Sequence, residues 1–402
     1  MKKVVVVGAG AAGFFAAINC AEKNPDYEVL ILEKSPKFLA KVKISGGGRC
    51  NVTHACFDAR QLIKNYPRGE KQLMGPFTRF NPTHTIDWFA ARGVELKTEE
   101  DGRMFPTTDT SQTIINCFWN EARRLGIKVE MQCGVEGLAP IANGWSLETT
   151  NGYINADAVL ITTGGIAQVW RMLQNLGLSI IEPVPSLFTF NIKDARIKGL
   201  EGVSVPMAQV KIKNSKLSAE GPLLITHWGL SGPGILKLSA WGARELAAIN
   251  YQFDIEVNWT GDKTVQQVTE TLKQYKQQHP KQTVGKHNLF GLPARLWIAL
   301  VTAAGNEATL NQNFADLSNK VIEQIAAMIA AGQFKVEGKS TFKDEFVTAG
   351  GVDLNEIDFK TMQSKKHPGL YFAGEVLDID AITGGFNFQA AWTTGWIAGQ
   401  SV

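Results

Sequence analysis

The feature that most constrains this chain is a glycine-rich turn between an apolar strand and a helix. Lys3–Val7 is a β-branched run without polar alternation, which is typical of a strand buried on both faces of a parallel sheet. The segment GAGAAG follows at residues 8–13, and the alanine-rich stretch after it predicts a helix that ends before Asn24-Pro25. A second apolar run, residues 28–32, leads directly to Glu33. Strand, turn, helix and terminal acid together form the complete fingerprint of a dinucleotide site.

Each part of this fingerprint has a physical role. Gly8 permits a tight turn, Gly10 lets the backbone approach a pyrophosphate, and Gly13 lets the helix pack closely on the strand. The helix N-terminus offers free N–H groups to phosphates, and Glu33 can accept hydrogen bonds from ribose hydroxyls. Because a carboxylate there would repel a 2′-phosphate, the site is predicted to hold FAD or NAD rather than NADP.

Two later segments favour FAD. The apolar run at residues 156–161 leads into Thr163-Gly164-Gly165, which resembles the strand and small-residue turn of flavoproteins with two dinucleotide-binding domains. The segment GLYFAGE at residues 369–375 resembles the third FAD motif, whose carboxylate, here Glu375, meets the ribityl chain. Three such signals, in the first, middle and last parts of the chain, predict a site that encloses FAD from both ends.

Two further glycine clusters extend this prediction. Ser45-Gly46-Gly47-Gly48-Arg49 would present successive N–H groups and a guanidinium to a pyrophosphate or to the edge of a flavin. Gly384-Gly385 precedes a predicted helix at residues 388–398, whose N-terminus would stabilise negative charge on a reduced flavin.

At these motifs the sequence resembles the BaiN-like group of bacterial flavoproteins, which is related to glutathione reductase in its FAD domain. The resemblance rests on SGGGRCNVT at 45–53, GRMFP at 102–106, THWGLSGPGIL at 226–236, TAGGV at 348–352 and the long segment at 369–399. Members include enzymes called aminoacetone oxidases and reductases of oxo-bile acids. One departure is His54, where the family commonly shows Asn.

The resemblance implies an α/β fold, with a glutathione-reductase-type Rossmann-like FAD domain and two insertions. The expected boundaries are 1–190 for the first part of the FAD domain, 191–257 for a β-barrel, 258–335 for a small helical domain, and 336–402 for the return to the FAD domain. Alternation over residues 251–258 predicts a half-buried strand, and helical spacing predicts helices over 263–278 and 314–331.

Motifs and resemblance together predict a large cofactor-binding set. It comprises Gly8, Gly10, Ala11, Ala12, Gly13, Glu33, Lys34, Lys43, Ser45, Gly46, Gly47, Gly48, Arg49, Cys50, Asn51, Val135, Thr163, Gly164, Gly165, Gly374, Glu375, Gly384, Gly385, Phe386 and Asn387.

Candidates for catalysis are fewer. His227 is the best acid/base candidate, with a hydrogen-bonded packing residue as the alternative, and Cys50 could modulate the flavin as a thiolate, although packing beside the cofactor is the simpler interpretation. Arg103 and Asp380 are candidates for substrate binding. The alternatives are support of the FAD loop for Arg103 and a solvated turn carboxylate for Asp380.

No second GxGxxG follows a strand, so no dedicated NAD(P)H domain is expected. The predicted function is an FAD-dependent oxidoreductase of a small organic molecule, which either passes electrons to oxygen or receives them from transiently bound NAD(P)H. The alternative is a flavin-binding redox sensor or partner-binding protein without turnover.

Composition sets the remaining expectations. Lys and Arg number 41 against 38 Asp and Glu, without a basic block, so neither nucleic acid nor an anionic membrane is expected as a partner. Five cysteines without a CxxC pair predict neither a disulfide framework nor a metal site. No apolar stretch reaches the roughly 18 residues of a membrane-spanning helix, so a cytoplasmic protein is expected. The expected assembly is a monomer or a homodimer.

Overall fold

The computed structural model of the 402-residue chain describes residues 1–341 and 347–402. The chain forms two compact units, which are described separately. The first unit comprises Met1–Val184 together with Lys343–Val402, and the second comprises Pro185–Phe342.

The N-terminal part of the first unit alternates strands and helices. Its strands are β1 (Lys3–Val7), β2 (Glu28–Glu33), β3 (Thr53–His54), β4 (Leu96–Thr98), β5 (Arg103–Pro106), β6 (Lys128–Met131), β7 (Val135–Ile141), β8 (Gly144–Thr149), β9 (Gly152–Ala156), β10 (Ala158–Ile161) and β11 (Ile180–Ser186). Its helices are α1 (Ala11–Lys23), α2 (Ala40–Gly48), α3 (Ala59–Leu62), α4 (Glu70–Arg79), α5 (Pro82–Ala90), α6 (Ser111–Arg124) and α7 (Ala167–Asn175), with a 3₁₀ turn at Ile63–Asn65.

The second unit is mainly antiparallel sheet followed by helices. Its strands are β12 (Thr189–Asn191), β13 (Ser204–Ile212), β14 (Ser218–Thr226), β15 (Gly229–Ser231), β16 (Gln252–Asn258), β17 (Gly332–Glu337) and β18 (Lys339–Ser340). Its helices are α8 (Pro233–Trp241), α9 (Ala243–Ala248), α10 (Val265–Gln278), α11 (Ala294–Ala304) and α12 (Asn319–Ala330), with 3₁₀ turns at Val284–Lys286, Glu307–Asn311 and Phe314–Asp316.

The C-terminal segment completes the first unit. It contributes β19 (Val347–Val352), a 3₁₀ turn (Leu354–Glu356), β20 (Ile357–Asp358), β21 (Gln363–Ser364), β22 (Leu370–Phe372) and α13 (Phe386–Ser401).

The centre of the first unit is a seven-stranded sheet in the order β20-β21-β22-β10-β1-β2-β6. From β22 to β6 the neighbours are parallel, and Val4 of β1 is in register with Ala158 on one side and Val29 on the other. The interior residues of β1 and β10 are fully or almost fully buried, as expected for a strand covered on both faces. The predicted Rossmann-like α/β fold is therefore confirmed.

The two ends of the chain meet in this unit, where α1 packs against α13. A Cβ added to Gly395 would lie 3.0 Å from the Ala12 carbonyl oxygen, and one added to Gly399 would lie 2.4 Å from that of Ala16. Only residues without side chains allow the backbones of the two helices to approach so closely.

The second unit is built on a seven-stranded sheet in the order β17-β16-β13-β14-β15-β12-β18. Its two outermost strands, β17 and β18, are separated in sequence by Gly338 alone, so the sheet must curl until its edges meet. The predicted strand at 251–258 corresponds to β16. The predicted helix at 314–331 starts later, at Asn319, because the Ser318 side chain caps it by accepting a hydrogen bond from the Val321 N–H. The proposed division between barrel and helical domain at residue 257 stays a prediction, since both parts lie in one compact unit.

Candidate functional site

The fingerprint turn after β1 is held by close backbone contacts. Gly8 has φ +110°, and a Cβ there would lie 2.9 Å from the Thr162 carbonyl oxygen. A Cβ on Gly13 would lie 2.0 Å from the Gly8 carbonyl oxygen. The Thr162 hydroxyl lies within hydrogen-bond distance of the carbonyl oxygens of Val7 (2.9 Å) and Gly8 (3.0 Å). Gly8 and Gly13 are thus required by the packing of strand, turn and helix.

Gly10 differs from these two glycines because nothing crowds it. A Cβ there would meet only the Thr162 carbonyl oxygen, at 4.0 Å. Gly10 is also the N-cap of α1, where no side chain caps the helix and no acid occupies the first turn. Free N–H groups at Ala11 and Ala12 with open space before them form a site for an anion such as a pyrophosphate.

Glu33 lies at the end of β2, beside this turn. Its carboxylate accepts hydrogen bonds from the N–H groups of Ala9 (2.9 Å) and Ser35 (2.8 Å). The Cys133 N–H donates to the Glu33 carbonyl oxygen at 2.8 Å, which brings the start of β7 at Val135 alongside. The three elements form one end of the site, where the sequence predicts the adenosine half of FAD. The neighbouring Lys34 Nζ donates to Gln168 Oε1 at 3.0 Å.

The SGGGR segment, predicted as a loop, is the distorted end of α2. Gly46, Gly47 and Gly48 have φ of +58°, +69° and +85°, and an added Cβ on either of the last two would meet nothing within 4 Å. The Leu39 N–H at the start of α2 donates to the Ala9 carbonyl oxygen at 2.9 Å, which fixes the segment beside the fingerprint turn. Successive left-handed residues turn their N–H groups inward, an arrangement that binds anions.

Arg49 and Arg103 share one acid. Arg49 Nη1 lies 2.5 Å from Glu99 Oε1, and Arg103 Nη2 lies 2.9 Å from Glu99 Oε2. Both guanidinium groups also lie over the Phe105 ring, at 4.0 and 5.4 Å from its centroid. Arg103 is further paired with Asp101 at 2.7 Å. In this state neither arginine presents an unpaired guanidinium, so their predicted roles toward cofactor and substrate would require exchange of these partners.

The third motif meets the fingerprint turn at the start of α1. A Cβ on Gly374 would lie 2.9 Å from the Ala12 Cβ. Glu375 Oε2 lies 2.7 Å from Lys41 Nζ, and its Oε1 accepts from the Thr348 N–H at 2.9 Å. The fold therefore brings segments from the beginning and the end of the chain into one site.

The small-residue turn after β10 closes the same region. Gly164 has φ +68°, and a Cβ there would lie 3.8 Å from Glu375 Oε2. A Cβ on Gly165 would lie 2.6 Å from the Thr348 hydroxyl oxygen, so this glycine is required by packing. Thr163 is half-buried beside it, and Lys43 is exposed on α2.

Gly384-Gly385 precedes α13, which starts at Phe386, two residues before the predicted start, and has no capping side chain at its Gly385 N-cap. A Cβ on Gly385 would lie 2.5 Å from the Thr53 carbonyl oxygen. With the amide oriented to suit its neighbours, Asn51 donates to the Thr53 carbonyl oxygen and accepts from the Gly385 N–H, both at 3.0 Å. Asn387 holds the preceding loop through two hydrogen bonds with the Ala381 backbone.

Cys50 is placed where thiolate chemistry is disfavoured. Its side chain is fully buried, and burial raises the pKa of the thiol to about 12. The structure therefore supports the packing role of Cys50 beside the glycine segment rather than the catalytic one.

The Asp380 side chain is shielded from solvent. It is fully buried and forms a two-pronged ion pair with Arg68, which is itself almost completely buried. Such a pair anchors the loop before Gly384, so the predicted role of Asp380 in substrate binding is not favoured by its position.

His54, noted from the sequence only as a departure from the family, lies against the first residue of α13. Its ring stacks on Phe386 with centroids 4.6 Å apart, and its Nε2 lies 3.1 Å from the Asp101 carbonyl oxygen. Because a carbonyl only accepts, Nε2 carries the proton, and Nδ1 is buried without a partner. Burial lowers the pKa of the imidazole.

His227 lies in the second unit, at the tip of the β14–β15 hairpin. Its side chain is 83% exposed, and its Nδ1 lies 3.8 Å from Glu201 Oε1. Its role as acid/base stays a prediction.

Sequence reasoning missed several residues that support the site. Thr162 was visible only as part of a small-residue turn, and Lys41 and Tyr66 carry no motif. The Tyr66 hydroxyl donates to the Phe386 carbonyl oxygen at 2.6 Å, a contact between residues 320 positions apart that no local pattern signals.

Comparison with known proteins shows the family of this chain. The glycine cradle on a parallel sheet defines a class, the Rossmann-type FAD-dependent oxidoreductases. The chain belongs to the HI0933-like family, whose Rossmann-domain model matches residues 2–401. The resemblance noted from the motifs is thereby confirmed.

Individual relatives carry two kinds of name. The chain is 27% identical to the ribosomal RNA dihydrouridine synthase of Escherichia coli, over 99% of this chain and 97% of that protein. It is 26% identical to the 3-dehydro-bile acid delta(4,6)-reductase of Clostridium scindens, over 100% and 99%. Among solved structures, the 3-ketosteroid-delta4-(5alpha)-dehydrogenase of Rhodococcus jostii shares the fold, with a TM-score of 0.51 at 13% identity over 100% of this chain and 96% of that one.

No helix within residues 1–341 and 347–402 is both long enough and apolar enough to cross a membrane.

Proposed function

We propose that this protein uses FAD to reduce a carbon–carbon double bond that is conjugated with a carbonyl group, with NAD(P)H as electron donor. The support comes from the two relatives. A dihydrouridine synthase saturates the bond of a uracil ring adjacent to its C4 carbonyl, and a 3-dehydro-bile acid delta(4,6)-reductase acts on double bonds conjugated with a 3-oxo group. The two substrates differ in size and polarity, but their reactive bonds are chemically alike.

The observation that carries the cofactor part of the proposal is the open cradle. Gly10, Gly47 and Gly48 have free space where a side chain would stand, whereas Gly8 and Gly13 are crowded by backbone. Two uncapped helix N-termini, at Gly10 and Gly385, supply N–H groups and positive dipole ends. The residues present therefore fit FAD.

Bound FAD would supply hydride transfer from NAD(P)H to the carbon β to the carbonyl group. The protein's part is to bind the pyrophosphate at the Gly10 turn, to hold the ribose at Glu33, and to stabilise negative charge near the N-terminus of α13. The second hydrogen reaches the substrate as a proton, and His227 is the candidate donor.

The sequence left the oxidase and the reductase open, and the proposal selects the reductase. The sensor without turnover, considered as the alternative from sequence, has no support in the comparisons.

An anaerobic stopped-flow experiment tests the proposal. The holoenzyme is mixed with NADH or NADPH, and the loss of flavin absorbance is followed. The reduced enzyme is then mixed with a 4,6-dien-3-one steroid, with a uridine-containing RNA, or with oxygen. We expect bleaching by a nicotinamide and faster reoxidation by one of the unsaturated carbonyl compounds than by oxygen. Bleaching by aminoacetone but by neither nicotinamide would contradict the proposal and favour the oxidase.

A further inference from the structure

The tip of the β14–β15 hairpin carries a largely exposed aromatic side chain. Trp228 is 58% exposed, although tryptophan is normally well buried. The turn itself is fixed, since a Cβ on Gly229 would lie 2.3 Å from the Phe190 carbonyl oxygen and 2.5 Å from the Ile192 nitrogen. A rigid turn that leaves its indole in solvent presents a flat apolar face for another ring.

Exposed cations lie on the loop that is bonded to this hairpin and on the helix that contacts that loop. The loop after β12 is bonded to the hairpin, because the Ile192 N–H donates to the Trp228 carbonyl oxygen at 2.8 Å. That loop carries Lys193 and Lys198, both exposed. Arg295, next to the N-terminus of α11, donates to the carbonyl oxygen of Gly199 in the same loop.

The acids of this region offset the cations only in part. Asp194 is held in an ion pair with Arg196 at 2.6 Å, and Glu201 lies 3.8 Å from His227. Glu201 also interacts with Arg295, so Lys193 and Lys198 leave this loop with an excess of positive charge.

Charge is also divided unequally between the two units. By sequence, the second unit has 17 Lys and Arg against 12 Asp and Glu, an excess of five, whereas the first has 24 against 26. Residues 271–306 of the second unit contain five Lys and Arg and no Asp or Glu. The net charge of +3 for the whole chain conceals this division.

We propose that the hairpin surface, defined as Trp228, Lys193, Lys198 and Arg295, docks single-stranded nucleic acid. The indole stacks on a base, and the cations lie along the phosphates. Exposed aromatic rings beside cations are the combination by which proteins hold unpaired bases. The inference rests on the proposed function, because it bears on which of the two unsaturated substrates this protein binds.

An acidic peptide is a poorer match for this surface. Its carboxylates would pair with the lysines, but no ring would stack on the indole. Each nucleotide supplies both a phosphate for the lysines and a base for the indole.

Fluorescence anisotropy tests the proposal without turnover. The holoenzyme is titrated into a fluorescein-labelled, uridine-containing 12-nucleotide RNA at several salt concentrations. We expect Trp228→Ala to weaken binding about tenfold, in keeping with loss of one stacked base. The double variant K193S/K198S should weaken binding and lower the slope of log affinity against log salt by about 1.4, from two phosphate contacts.

Matched controls come from the same unit. Trp241 at the end of α8 is 39% exposed, and Lys211 is exposed near the far end of β13 from the hairpin. Trp241→Ala and Lys211→Ser should bind the RNA as the unaltered protein does. Equal losses in these controls, no binding by the unaltered protein at low salt, or equally tight binding of polyglutamate would each overturn the proposal.

Different results would refute the proposed reductase and the proposed docking surface. If binding depends on Trp228 but the flavin is never reoxidised by an unsaturated carbonyl compound, only the proposed reductase is refuted. If a steroid dienone reoxidises the flavin but RNA does not bind, only the docking surface is refuted.

Discussion

The glycines of the fingerprint turn allow a sharp separation between folding and cofactor binding. Gly10→Ala and Gly13→Ala make the same chemical change three residues apart. At Gly13 the new methyl group would lie 2.0 Å from the Gly8 carbonyl oxygen, so the backbone itself must move. At Gly10 the backbone is extended, with φ −90°, and the nearest atom would be 4.0 Å away.

The magnitudes follow from this geometry. Overpacking at Gly13 should lower the free energy of unfolding of the apoprotein by about 1–3 kcal/mol or more. At Gly10, a small loss as N-cap and a small gain from restricting the unfolded chain should leave that free energy within about 1 kcal/mol. The Gly10 methyl group would instead occupy the space of the pyrophosphate, and we expect FAD affinity to fall at least about tenfold, or 1.4 kcal/mol.

Urea unfolding of the apoprotein and fluorescence titration with FAD measure the two quantities. Gly75→Ala in α4 is the control for FAD binding, because its Cβ meets nothing within 4 Å apart from its chain neighbours; FAD affinity should be unchanged, and the Pro76 ring that follows opposes the usual gain from alanine in a helix. Normal FAD binding by Gly10→Ala, or an apoprotein as unstable as that of Gly13→Ala, would refute the assignment of Gly10 to the pyrophosphate.

Four further outcomes follow from the site. Glu33→Gln should weaken FAD binding about tenfold in the same titration, because one carboxylate oxygen is replaced by a donor; unchanged affinity would contradict the ribose role. Asp380→Ala should lower the free energy of urea unfolding by about 3–5 kcal/mol, since it removes one partner of a buried, two-pronged ion pair; unaltered stability with a raised substrate KM would instead restore Asp380 to substrate binding. Cys50→Ser should leave the flavin spectrum unchanged between pH 7 and 9, as the thiol has a pKa of about 12; a long-wavelength band that vanishes in the variant would show a thiolate. Burial lowers the pKa of His54 from its usual 6.5, so its stabilising contribution is present above about pH 6.5 and is lost as the pH falls toward the lower folded value. His54→Asn should flatten that part of the stability curve measured between pH 5 and 8.

Much of the first unit could be predicted because its signals are local. The β-branched run, the spacing of Gly8, Gly10 and Gly13, and Glu33 at the end of the second strand each lie within one supersecondary unit. Their roles follow from backbone sterics that hold in any chain with this pattern. The start of α13 could likewise be predicted from its paired glycines.

Pairings between distant segments could not be predicted in the same way. Arg68 and Asp380 are 312 positions apart, and neither belongs to a sequence motif that would predict their ion pair. The same is true of Arg49 and Glu99, so the sequence left Arg49 available to a cofactor although it is ion-paired in the structure.

The expectation that nucleic acid is not a partner stays a prediction, and the proposed hairpin surface stands against it. It used the charge of the whole chain and the absence of a contiguous basic block, both of which are correct. Charge acts over distances of about 10 Å, however, so its effect depends on which residues share a surface. That grouping needs the division of the chain into units, which linear counting does not supply.

The packing of α1 against α13 has a consequence for biosynthesis. A ribosome releases β1, the fingerprint turn and α1 long before it makes α13, because the whole second unit is synthesised between them. Until the last helix emerges, the small residues of α1 face no partner, and Gly374 and Gly385 are missing from the site. The second unit can fold on its own contiguous segment during this interval. The flavoprotein is therefore expected to acquire its cofactor only once α13 has left the ribosome and packed on α1.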